Sequence, residues 1–415
     1  MATLRTTAAI SAVLISFAAL LYKPVILRVE VLGLTRPLIK NIHGEDLRII
    51  SNTSNCEDLH YHEPSNLLFG ASGEKPENRF KWFPPMAILD DPSTLDRGTI
   101  VVVDPEPDEP QTKLAKRLFL ANFPGPFITH GIDIWSPKDD PDSVYIFAIN
   151  HLPNPAFALS NATDIPKARS QIELFHHRIG TSEATHLRSI WHPTIRTPND
   201  IYAINTHSIY FTNDHYYRGG HMRTVEDVIT TSRWGDIIHL EISDLNARDT
   251  SQGIEATVAK HGIQNPNGLG HGKDESEILI GRAAAGIIEI AQEDHIHDLK
   301  IIETVQLPNT VDNPTYFHDP YAQETGHDAS GYIIAGLARA ANWPSDQNPV
   351  TVYLVSASGH RTQKLLFQDD GKMVNSASTA VLIAIDPKKN LGKKQAWLFV
   401  TGPISKDVAC SRVDL

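Results

Sequence analysis

Thr99-Ile100-Val101-Val102-Val103 and Val144-Tyr145-Ile146-Phe147-Ala148-Ile149 are the stretches from which the fold is read. Each is a short apolar run rich in β-branched or aromatic side chains, the composition of a buried strand. Similar runs recur at residues 201–211, 237–242, 278–280, 299–305, 332–335, 351–355, 379–385 and 396–400. Between them, 27 prolines and 25 glycines punctuate the chain and argue against long helices. Only residues 110–121 and 225–232 look like short helices. About ten strands without alternating β and α units predict an all-β architecture. No clean internal repeat is visible, so the pattern alone leaves sandwich domains and a propeller both open. A six-bladed propeller would have about 375 residues beyond the first 40 to use, roughly 60 per blade.

Charge limits the partners. With 37 Lys and Arg against 49 Asp and Glu, the formal net charge is −12, and no basic run interrupts the acidity. Nucleic acid is therefore excluded as the main partner, because a phosphate-binding surface needs clustered positive charge. An acidic, oxygen-rich chain suits a hard cation such as calcium. Residues 6–22 carry no charged side chain and follow Arg5, which reads as a signal peptide or an uncleaved signal anchor. The expected organisation is such a segment with its linker over residues 1–40 and one folded unit over residues 41–415. It implies a secretory route, with the folded part on the lumenal or extracellular side and an association with a membrane or lipid surface. The triplets beginning at Asn52 and Asn161 fit N-glycosylation on that route. Cys56 and Cys410 lie near the two ends of the mature chain. They are either an end-to-end disulfide or two free buried thiols, and the bridge is the expectation.

Several catalytic signatures are missing. No Gly-x-Ser-x-Gly elbow and no His-Glu-x-x-His occurs. Gly268-Leu269-Gly270-His271-Gly272-Lys273 imitates a phosphate loop without its spacing and reads as a turn. The pairs His60/His62, His176/His177 and His295/His297 have no third ligand at zinc-like spacing. What remains is a set of oxygen-bearing doublets: Glu57-Asp58, Asn199-Asp200, Asn267-Gly268 and Asp312-Asn313. Adjacent residues in a strand point to opposite faces, so one doublet can serve two ions. Being far apart in sequence, the doublets meet only if the fold is radial.

The segments around them carry a resemblance. Phe127-Ile-Thr-His-Gly-Ile132, Ile149-Asn150-His151, Pro198-Asn-Asp-Ile201, Thr212-Asn-Asp-His-Tyr216, Asn267-Gly268 and Thr310-Val-Asp-Asn-Pro314 follow in that order. This succession resembles the paraoxonase/arylesterase family, calcium-dependent lactonases built on six-bladed β-propellers, in patches from about Cys56 to Cys410. The resemblance implies a six-bladed β-propeller with two calcium ions on its axis, plus an N-terminal hydrophobic helix. It implies a catalytic calcium on Glu57, Asn199, Asn267, Asp312 and Asn313. It implies a structural calcium on Asp58, Asp200 and the backbone carbonyl of Ile132. His130 would be the general base and His151 its partner. Cys56 directly precedes Glu57, whereas the family's cysteine lies further upstream.

The implied chemistry is hydrolysis of lactones and aryl esters, extending to organophosphate esters. Calcium would polarise the carbonyl and stabilise the oxyanion, while an imidazole of ordinary pKa about 6.5 takes a proton from water. Asp214 and His215 either face the same pocket or form a turn within a blade. Two other functions stay open. One is a gluconolactonase- or strictosidine-synthase-like propeller hydrolase without the histidine pair. The other is a non-catalytic, calcium-stabilised propeller that binds a partner.

Overall fold

The computed structural model describes residues 22–93, 95–105, 115–160, 165–229 and 231–415. Six antiparallel sheets are arranged radially, a six-bladed β-propeller. The first blade contains Leu59–His62, Leu67–Ser72, Thr99–Val103 and Ala115–Arg117. In the second, Thr129–Trp135, Ser143–Pro153, Ala168–Arg178 and Glu183–Ile190 form the sheet, with Phe119–Ala121 added in parallel at its outer edge. The third and fourth blades begin at Pro198–Asn205 and Pro266–His271, the fifth and sixth at Thr315–Phe317 and Thr379–Ala384. These six first strands are innermost, and each lies against the next around the whole ring. Ring closure is made by Glu45–Ile50, which pairs with Val408–Asp414 in the sixth blade.

The continuous apolar runs now have a cause. Strand side chains alternate between two faces, and in a propeller both faces are covered by neighbouring blades. Ile100 and Val102 pack with Ile146 and Ala148 of the second blade. Val101 and Val103 pack with Val381 and Phe399 of the sixth. Phe147 and Ile149 turn the other way, onto Ile201 and Phe211 of the third. Comparable clusters fill the remaining three interfaces, so the core is six wedges rather than one mass.

Three local expectations are revised. Within residues 110–121, the described part forms the strands Ala115–Arg117 and Phe119–Ala121 rather than a helix, because both pair at blade edges. The helix expected at 225–232 runs instead over His221–Val228. The glycine-rich segment after Asn267 is not a turn but most of the inner strand Pro266–His271. Its glycines admit the next blade: a Cβ at Gly268 would overlap Asn313, and one at Gly270 would overlap the Pro314 carbonyl.

The expected Cys56–Cys410 disulfide is not formed. Both cysteines are free, buried thiols in the cluster between the first and sixth blades. The Cys56 sulfur is turned onto the Asp58 carbonyl at 3.2 Å. Burial raises both thiols, Cys410 to about 12, so neither readily yields the thiolate that disulfide formation requires.

Asn52 is exposed, at φ 72°, while Asn161 lies outside the described residues. Most of the apolar run 6–22 also lies outside them, and a helix is seen over residues 22–31. No helix among the described residues is long and apolar enough to cross a membrane. The end of that helix docks on the ring: Val31 is buried, and the Leu32 carbonyl just after it accepts from the Ala341 amide at 3.2 Å.

Ring closure predicts where stability is sensitive. Ile50 sits fully buried at the end of the closing strand. Ile50→Ala is expected to cost about 2–5 kcal/mol, read as a lower urea midpoint at unchanged slope.

Candidate metal centre and pocket

Where the six inner strands converge, one face of the ring opens into a cavity of about 460 Å³. Glu57, Asn199, Asn267 and Asp312 line it together with His130, Asp214 and His215. Glu57 precedes the first blade's inner strand, Asn199 and Asn267 are the second residues of theirs, and Asp312 precedes the fifth. The fifth expected neighbour, Asn313, is buried beside them and donates from Nδ2 to Glu57 Oε1 at 3.1 Å. Thus the five residues named for the first calcium are gathered, from the first, third, fourth and fifth blades.

Their hydrogen bonding sets them apart. Glu57 Oε2, Asn199 Oδ1, Asn267 Oδ1, Asp312 Oδ1 and Asn313 Oδ1 are all buried with no hydrogen-bond partner. Orphaned buried acceptors are rare, and each costs on the order of 1–3 kcal/mol. Five such oxygens from one cluster form a hard-oxygen set suited to a cation. Electrostatics point the same way. Burial, then the charges of Asp312 and Asp58, push the Glu57 carboxyl well up, and burial with Asp58 and Asp214 does the same to Asp312. A divalent ion would relieve both the repulsion and the unmet acceptors.

The residues assigned to a second calcium differ in their hydrogen bonding, although burial and the charges of Asp58 and Glu57 push the Asp200 carboxyl well up as well. Asp58 Oδ1 accepts from the Leu59 amide at 2.8 Å and the Thr379 hydroxyl at 2.9 Å. Its Oδ2 accepts from the Ile132 amide at 3.2 Å and faces His60 Nε2 at 2.9 Å. Asp200 accepts from Ile201 and Leu269 amides, both at 2.7 Å. The Ile132 amide thus meets Asp58, and neither carboxylate is left with an orphaned oxygen. The donors already meeting Asp58 and Asp200 are what argues against a second cation here.

His130 and His151 meet at 3.2 Å, Nδ1 to Nε2, and His151 Nδ1 continues to Ser170 Oγ at 2.8 Å. An irregularity in the pairing between Ala148 and Asn150 re-aims the strand just before His151. Phe83 packs edge-on against both rings, at 5.2 and 5.8 Å between centroids. Burial lowers both imidazoles, His130 to about 3, with Arg79 adding to the shift and Asp214 opposing it. The pair is neutral at pH 7, so it is competent to accept a proton but a weaker base than free imidazole. Asp214 and His215 do face the pocket. His215 bridges Asp214 Oδ2 at 3.1 Å and Asp227 Oδ1 at 2.8 Å. Burial opposes its protonation, but these two carboxylates outweigh it and raise His215 to about 9. Asp214 keeps one buried oxygen without a partner.

Two contributors escape sequence reasoning. Arg79 is 2% exposed behind the site, its guanidinium 4.1 Å from the Phe83 ring centre and bonded to the Asn55 carbonyl at 2.8 Å. Both it and Phe83 come from an insert between two strands of the first blade, residues 73–98, which carries no catalytic signature. Its length alone could have drawn notice, since long loops in compact domains are often functional. Of the histidine pairs considered for zinc, only His297 joins a cluster of possible metal-binding side chains among the described residues. Its partners are His239 and Glu241, away from the pocket.

Comparisons with known proteins agree with this geometry. The arylesterase family model matches residues 93–326, more than half of the chain. The serum paraoxonase/arylesterase 2 of Rattus norvegicus is 23% identical over 216 residues, 52% of this chain and 53% of that protein. The serum paraoxonase/lactonase 3 of Homo sapiens is 26% identical over 210 residues, covering 51% and 49%. The serum paraoxonase/arylesterase 1 of Mus musculus is 24% identical over 278 residues, covering 66% and 64%. The match to the first two spans about half of their length. The family match, the six-bladed ring and the order of the motifs lead to one statement: the chain belongs to the arylesterase family.

Proposed function

We propose that this protein is a calcium-dependent hydrolase of lactones and aryl esters, acting in the pocket on the propeller axis. The observation that carries the reading is the cluster of five orphaned buried oxygens on Glu57, Asn199, Asn267, Asp312 and Asn313. A calcium ion held by them would supply Lewis-acid stabilisation of a developing oxyanion. The protein's own groups do the rest. Phe83 and Met86 give the pocket an apolar wall that suits the ring of a lactone or aryl ester and excludes water from it. His130, on the pocket wall and neutral at pH 7, takes a proton from the attacking water, and His151 holds its ring in place. His215, charged between Asp214 and Asp227, adds a positive group on the same wall. The relatives named paraoxonase/arylesterase and paraoxonase/lactonase support an ester or lactone as substrate. Residues 6–22 complete the reading with a secretory route and contact with a lipid surface.

Asp312→Ala and Asn267→Ala should each abolish hydrolysis of a lactone panel while the far-ultraviolet circular dichroism stays that of the parent. Activity that survives exhaustive chelation with the fold intact would show the metal to be irrelevant. His130→Gln should lower kcat by about 10²- to 10⁴-fold while leaving bound calcium unchanged. A rate within twofold of the parent would favour a propeller hydrolase that works without the pair.

Calcium affinity should also depend on pH, with a fixed sign. Glu57 and Asp312 hold protons to higher pH than free carboxylates, and the ion requires them ionised. Binding therefore releases protons, and affinity falls as pH falls. Calorimetric titrations in two buffers of different ionisation enthalpy should give different apparent heats. Equal heats at pH 6 would contradict the assignment.

A further inference from the structure

Asp58 and Asp200 stand on the axis next to the proposed calcium, yet their oxygens are already engaged. The structure shows what engages Asp58. Residues two apart in a strand share a face, so His60 follows Asp58 along the axis. Its Nε2 is 2.9 Å from Asp58 Oδ2, and its Nδ1 is 3.2 Å from Asp133 Oδ1. Asp133 comes from the second blade's inner strand, directly after Ile132. Its other oxygen accepts from the Ala203 amide at 2.6 Å and meets His271 Nε2 at 2.8 Å. Asp58, His60, Asp133 and His271 thus form one chain across the axis, from the pocket floor towards the opposite face of the ring. It joins the first, second and fourth blades, Ala203 adds the third, and Thr379 adds the sixth.

One imidazole, a hydroxyl and several amides therefore meet Asp58 and Asp200, the carboxylates that a second cation would otherwise neutralise. The side chains of Asp58, Asp133 and His60 are 2%, 1% and 12% exposed, so solvent cannot easily take over these contacts. A cation bound to Asp58 would have to break the His60 contact and turn the Ile132 amide away. Both would cost hydrogen bonds to a buried anion, which are among the stronger ones in proteins.

We propose that the His60 side chain occupies the second position on the axis in place of a metal ion, so that the chain binds one divalent cation rather than two. This rests on the calcium centre proposed above.

The test is metal stoichiometry of the full chain, saturated with calcium, freed of excess by dialysis and measured by plasma mass spectrometry against quantitative amino-acid analysis. One equivalent is expected. Two equivalents would overturn the inference and leave the calcium centre standing, whereas none would overturn both. His60→Ala supplies the second arm, because it removes the imidazole that lies between Asp58 and Asp133. That variant should bind a second equivalent, more weakly than the first. A folded variant that still binds only one would show that His60 was not standing in a cation's place. If the variant does not fold, the parent's stoichiometry decides alone.

Discussion

Glu57 and Asp312 are brought together in a buried centre, and five oxygens of the cluster are left without hydrogen-bond partners. Buried like charges and unmet acceptors each oppose folding by several kcal/mol unless something of positive charge joins them. The propeller pays that cost because its blades are held from outside. Six apolar wedges and the Glu45–Ile50 closure fix the inner strands irrespective of what their ends carry. A ring closed by packing can therefore present an anionic centre to a cation.

The same logic separates the two halves of the axis. At the pocket floor five oxygens have no donor, and a metal ion is the chemistry that fits. One residue further along each strand, Asp58 and Asp200 meet backbone amides, a hydroxyl and an imidazole. Adjacent residues of one doublet thus have different fates, since alternation sends their side chains to different surroundings. His60, not the doublet itself, decides which carboxylate remains available.

How much of this was legible in the sequence follows from which signals are local. The runs at 99–103 and 144–149 announced buried strands, because both faces of a blade are covered and the apolar pattern is unbroken. The oxygen doublets announced a radial meeting point, since nothing else would gather residues as distant as Glu57 and Asp312. Other features depended on contacts between blades, which no local pattern encodes. Gly268 and Gly270 looked like turn residues, but they are small because Asn313 and Pro314 lie against them. Cys56 and Cys410 reach the same cluster without bonding, the sulfur of Cys56 being turned onto the Asp58 carbonyl two residues on. His60 showed only a pair with His62 and no third ligand at zinc-like spacing, and the approach of Asp133 from the next blade is what gives it a role. Arg79 and the low proton affinity of His130 likewise arise from burial by an insert whose sequence is unremarkable.

The central claim is that one divalent ion sits among Glu57, Asn199, Asn267, Asp312 and Asn313. The most direct measurement is a crystal structure of the calcium-loaded protein with anomalous diffraction collected at long wavelength. The account predicts an anomalous peak within about 2.3–2.6 Å of those oxygens. A peak elsewhere, or protein donors turned onto these five oxygens with no peak, would contradict it.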